Sequence, residues 1–124
     1  MSSFLQPGKL LKSFRYALKG LITAWKREQN FRIQGVISVA VILFMILVRV
    51  RIWEAVALLL AIGSVLILEL INTIFEALVD ILKPRMHHYV AIIKDLMAAA
   101  VFLASLGAAI IGLLILGPYI WPGS

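Results

Sequence analysis

Three long apolar segments follow a lead in which basic and apolar positions recur with a helical period. In that lead, from about Gly8 to Gln29, Leu10, Phe14, Ala17, Leu18, Leu21, Ile22 and Trp25 share one arc at about 100° per residue. Lys12, Arg15, Lys19 and Lys26 fall opposite. The pattern predicts an amphipathic helix lying in a membrane headgroup region, or one packed on another subunit. The first apolar run spans Ile33 to Val48 and extends through its flanks to 31–50, since a bilayer crossing takes about 20 residues. The second covers 52–82 and the third 91–119. Arg49-Val50-Arg51 is a tight joint between the first two, and Lys83 to His88 forms a polar turn before the third. One domain over 1–124 is expected at this length.

Composition sharpens the reading. Hydrophobic residues make up 63% of the chain and charged ones 15%, against about half and a quarter in soluble domains. A soluble globular protein and a disordered one are both disfavoured. The chain has no cysteine, which removes disulfide scaffolds, zinc fingers and thiol catalysis. The net charge is +6, and seven of the twelve Lys and Arg residues precede residue 33. None follows Lys94. A nucleic-acid reader would not carry such apolar runs, so no nucleic-acid partner is expected. The cation excess predicts a cytoplasmic N-terminus and second connector, with the C-terminus outside. Trp25, Trp53 and Trp121 fall at the expected interfaces. The lead lacks the form of a cleavable secretory signal, whose apolar core directly follows a short basic head.

The six carboxylates carry the chemistry. Glu54, beside Trp53, reads as a solvated flank of the second span. Glu69, Asn72, Glu76 and Asp80 fall within about 80° of one another on a helix, one polar stripe on an apolar rod. Ionised carboxylates at bilayer depth are costly, so such a stripe faces a polar interior. Glu69 lies about 26 Å along the helix from Ile52, near the cytoplasmic edge of a roughly 30 Å core. A reaction between a membrane-dissolved and a water-soluble molecule needs that location. Glu28 falls on the apolar arc if the lead helix continues straight, and either reaches toward the stripe or turns to water where the helix frays. Lys94 and Asp95 begin the third span at the same depth. Lys94 either snorkels or serves a phosphate or carboxylate. His87 and His88 read as loop residues without helical metal spacing. Ala100, Ala104, Ala108 and Gly112 make a small-residue stripe that would allow close helix approach.

No Gly-rich phosphate loop is present. A nucleotide would need carboxylate-bound Mg²⁺ and basic side chains, and Glu28 with Glu76 would suffice for the ion.

These residues resemble the small prokaryotic diacylglycerol kinase family, which includes the undecaprenol kinases. The resemblance rests on Glu69-Leu70-Ile71-Asn72-Thr73-Ile74-Phe75-Glu76 through Asp80, on Lys94-Asp95 before an alanine-rich helix, and on Tyr16 to Leu21 through Glu28 and Phe31. It covers about residues 9–117. It implies an all-α integral membrane protein, a surface helix plus three transmembrane helices, assembled as a homotrimer with active sites shared between subunits. It implies a bacterial inner-membrane location, ATP as co-substrate and Mg²⁺ as cofactor. By position, Glu69 looks like the general base with Asn72 beside it, and Glu28 and Glu76 like the metal ligands. Lys94, Asp95, Tyr16, Lys19, Arg85 and His87 look like nucleotide contacts, with Asp80 in support. Met86 lies in the same loop. Lys9 stands where some members carry Arg, which loses a bidentate fork.

The expected activity is phosphorylation of diacylglycerol or undecaprenol. Glu28-Gln29-Asn30-Phe31 is closer to the undecaprenol type. A cation- or proton-coupled transporter would also need intramembrane carboxylates, but near the midplane. An anchoring subunit would leave Glu28, Glu69 and Glu76 without a role.

Overall fold

The computed structural model describes residue 4, residues 6–121 and residue 123. Four helices occupy nearly all of them: α1 (Pro7–Arg27), α2 (Gln29–Val48), α3 (Ile52–Leu82) and α4 (His87–Ile120). The last three are long and apolar enough to cross a membrane. The 20 residues of α2 extend about 30 Å, which matches a hydrocarbon core. The 31 residues of α3 and 34 of α4 extend about 46 and 51 Å. Both therefore outrun α2.

The overhang lies at one end. Tyr119 of α4 bonds Glu54 of α3, so the start of α3 and the finish of α4 lie level. Met45 of α2 joins Leu58, Ile115 and Leu116 in a small core at the same end. The extra length of α3 and α4 thus projects at the end carrying the second connector. α3 packs chiefly on α4, and α2 leans on α3. Outward-facing apolar residues stay bare, Leu47 at 79% and Leu114 at 73% among them. In water such a surface would aggregate; in lipid or against other chains it is covered.

Three sequence expectations change. Glu54 is not a solvated flank: it is buried. Its Oε1 accepts the Arg51 backbone N–H at 2.9 Å and the Tyr119 hydroxyl at 2.5 Å. It therefore caps α3 and ties that cap to α4. The lead helix does not run straight through Glu28. α1 ends at Arg27, Glu28 is extended (φ −114°, ψ 112°), and α2 begins at Gln29. Finally, α4 starts at His87, so His87 and His88 form its first turn rather than a loop.

The small-residue stripe has its own setting. Ala108 and Gly112 border an apolar groove of about 510 Å³ between α2, α3 and α4. Gln34 Nε2 donates to Ser105 Oγ across one end of it at 3.3 Å.

Candidate active site

The acidic stripe of α3 opens onto a cavity of about 420 Å³ where α3 and α4 outrun α2. Glu69, Asn72 and Glu76 supply its acidic wall, Lys94 of α4 faces them, and Asn30 borders it from α2. Phe75, Val79, Ile93, Met97, Val101 and Phe102 make the rest apolar. One chamber thus offers a carboxylate, a cation and an apolar wall. Helix periodicity accounts for the acidic side, since offsets of three and four residues keep Glu69, Asn72 and Glu76 on one face.

Glu69 is 2% exposed. Among the described residues its carboxylate accepts no hydrogen bond; only its backbone carbonyl does, from Thr73 Oγ1 at 3.0 Å. No fully buried side-chain polar atom among those residues lacks a partner. The Glu69 oxygens therefore open onto the cavity, with their lone pairs free.

Glu76 is held from two sides. Asn72 Nδ2 donates to its Oε1 at 3.3 Å, and its carboxyl shares a hydrogen bond with Glu28. Two carboxyl groups can bond this way only around a proton. Burial, that hydrogen bond and the nearby Glu76 charge push Glu28 from the ordinary 4.5 up to about 7, opposed by Arg27. A divalent cation replacing the shared proton would satisfy both oxygens at once. The donor set, two carboxylates, suits a hard ion such as Mg²⁺. Among the described residues no cluster of three or more His, Cys, Asp or Glu forms a closed metal cage. An ion that also binds substrate phosphates needs none.

Other sequence-derived candidates lie outside this chamber. Asp95 is exposed beside Lys94 and does not line it. Asp80 is exposed and pairs with Lys83 at 3.8 Å. Lys9, Tyr16 and Lys19 lie on the exposed length of α1. Arg85 borders a separate recess with Lys83, Pro84 and Met86, and His87 is exposed next to it. Arg32, which sequence reasoning passed over, donates from Nη1 to the Trp25 carbonyl at 2.7 Å and the Lys26 carbonyl at 3.1 Å. Its only sequence signal is a cation four residues past Glu28 at the mouth of a span.

Fold and site together define a helical membrane protein with an acidic cavity at one end of its apolar spans. Residues 15–116 match the family profile described as prokaryotic diacylglycerol kinase. The chain is 41% identical over 104 residues to a diacylglycerol kinase of Synechocystis sp., covering 83% of this chain and 59% of that protein. It is 34% identical over 110 residues to the undecaprenol kinase of Bacillus subtilis, covering 89% of each. It is 31% identical over 102 residues to the diacylglycerol kinase of Escherichia coli, covering 82% of this chain and 84% of that protein. The chain belongs to the prokaryotic diacylglycerol kinase family, a family of lipid kinases.

Proposed function

We propose that the protein transfers the γ-phosphoryl group of ATP to the hydroxyl of a membrane lipid alcohol in the Glu69 chamber. The observation that carries this is the Glu69 carboxylate: 2% exposed, free of donors among the described residues and open to a cavity with one apolar wall. A lipid hydroxyl entering from the apolar side meets that carboxylate. Glu69 accepts the hydroxyl proton as the oxygen attacks the γ-phosphorus, and the bond to the β-phosphate oxygen breaks to release ADP. Asn72 fixes the orientation of Glu76. Glu28 and Glu76 would hold Mg²⁺, which neutralises charge on the phosphate oxygens when bound. Lys94 faces the same space and adds a positive charge toward them.

The outlying residues serve the nucleotide in this reading. Lys9, Tyr16 and Lys19 on α1, Arg85 and His87 at the connector, and Asp95 would contact it, with Asp80 in support. Three chains share their sites as a homotrimer, and each chain is one domain over 1–124. α1 lies in the cytoplasmic headgroup layer of the bacterial inner membrane, with its apolar arc down. The C-terminus lies outside, by the cation asymmetry. Undecaprenol is the favoured lipid on Glu28-Gln29-Asn30-Phe31, with diacylglycerol second.

The test is phosphate transfer from labelled ATP in mixed micelles, offering undecaprenol and diacylglycerol in parallel, with and without Mg²⁺. Transfer to either lipid that needs the metal supports the kinase. No transfer to either, from folded oligomeric protein, refutes this reading.

A further inference from the structure

Glu28 reaches Glu76 because the chain breaks there, and nothing in its immediate sequence forces that break. No glycine or proline lies between Ala24 and Gln34. Glu28 keeps both helices' hydrogen bonds: its N–H donates to the Ala24 carbonyl at 2.9 Å, and its carbonyl accepts from Arg32 N at 3.2 Å. Yet its φ and ψ are extended. A continuous helix would otherwise be the natural state of these residues.

Two contacts oppose that straightening. The carbonyls of Trp25 and Lys26, which a longer helix would pair with later N–H groups, are taken by one nitrogen of Arg32, at 2.7 and 3.1 Å. Beyond the break, α2 passes close under the Trp25 indole. A Cβ at Gly35 would sit 3.0 Å from Trp25 Cζ3, tighter than ordinary contact, so glycine is what allows the approach. Ala24 and Phe31, on either side of the bend, are both buried. Among the described residues Arg32 forms no ion pair with Glu28. The guanidinium of Arg32 serves the backbone.

We infer that Arg32, with the Trp25–Gly35 contact, is a positioning device that holds the chain bent at Glu28 so that its carboxylate meets Glu76 and completes the divalent-cation site. This rests on the Glu28–Glu76 ion site of the proposed function. Arg32 is here a positioning residue: it touches neither phosphate nor lipid.

Divalent binding can be read without turnover. Mn²⁺ is titrated into the detergent-solubilised full-length protein with a non-hydrolysable ATP analogue, and free Mn²⁺ is followed by its paramagnetic resonance signal. Arg32→Ala should weaken Mn²⁺ binding by about tenfold, the scale on which residues supporting a metal ligand act. Arg32→Lys, which keeps several donors on one nitrogen, should restore most of it. Gly35→Ala, which pushes on the indole from the other side, should weaken binding to a lesser degree. Added to Glu28→Gln, Arg32→Ala should change nothing further, since both act through one ligand. A merely structural arginine would weaken binding in that background too, and that result overturns the inference. Wild-type binding by Arg32→Ala beside weakened Glu28→Gln also overturns it, while leaving the ion site standing. Wild-type binding by Glu28→Gln overturns both. If Arg32→Ala does not fold, wild-type binding by folded Gly35→Ala is the refuting result.

Discussion

Glu54 and Glu69 lie 15 residues apart on the same helix, both buried, and their surroundings are opposite. Glu54 spends its lone pairs on the Arg51 N–H and the Tyr119 hydroxyl. The Glu69 carboxylate accepts nothing from any described residue and opens onto a cavity. Satisfied by donors, a buried carboxylate is a fastener. Left without them, it is a costly group that persists where it has work to do, and a free lone pair near a lipid hydroxyl is what a general base requires. The bundle is thus fastened at one end and, on the proposed function, reactive at the other.

Substitution should expose that contrast. Largest is the reactive end: Glu69→Gln, isosteric but unable to take a proton, should lower turnover by about 10²- to 10⁴-fold while the helical spectrum and oligomeric state persist. Next, Glu76→Gln should raise the Mg²⁺ concentration for half-maximal transfer by about tenfold or more, the scale on which even outer partners of a metal ligand act. A transfer assay across a Mg²⁺ series reads this directly.

Tyr119→Phe should do the reverse of Glu69→Gln. It removes a donor to a buried carboxylate at the fastened end, so the thermal midpoint in detergent should fall while turnover of the folded protein is unchanged. Acid titration adds a smaller effect. Glu28 is raised to about 7 in the fold from an ordinary 4.5. A carboxyl raised by folding favours the folded state below its unfolded value, and that contribution disappears as pH climbs through the folded value. Without metal, the thermal midpoint should therefore decline between about pH 5 and pH 8, and Glu28→Gln should flatten the decline. Smallest is Arg49→Gly. Arg49 ends α2 in the left-handed region at φ 55°, where a side chain costs roughly 1–2 kcal/mol. After glycine's own entropy loss, a gain of at most about 1 kcal/mol in unfolding experiments is expected.

Much of this was legible in the sequence because it is periodic. The apolar runs marked three long helices, and offsets of three, seven and eleven residues placed Glu69, Asn72, Glu76 and Asp80 on one face. What escaped depends on partners distant in sequence or across a break. Glu54 resembled a flank because its burial needs Tyr119, 65 residues away. The bend at Glu28 has no glycine or proline to announce it; Arg32 and the Trp25–Gly35 contact make it. His87 and His88 read as loop in the sequence because a polar, proline-containing turn precedes them, and histidine has little preference of its own. The chamber's apolar wall could not be separated from general lipid-facing residues, since both read as hydrophobic positions on long helices.

On the proposed function, of two buried carboxylates on one helix only the unsatisfied one reacts. The most direct measurement is the single-turnover rate of phosphate transfer in mixed micelles for Glu69→Gln and Glu54→Gln beside the wild type, at saturating Mg²⁺ and ATP. Glu69→Gln should lose transfer while remaining folded, and Glu54→Gln should keep the wild-type rate with a lower thermal midpoint. A folded Glu69→Gln protein that transfers phosphate at the wild-type rate would contradict it.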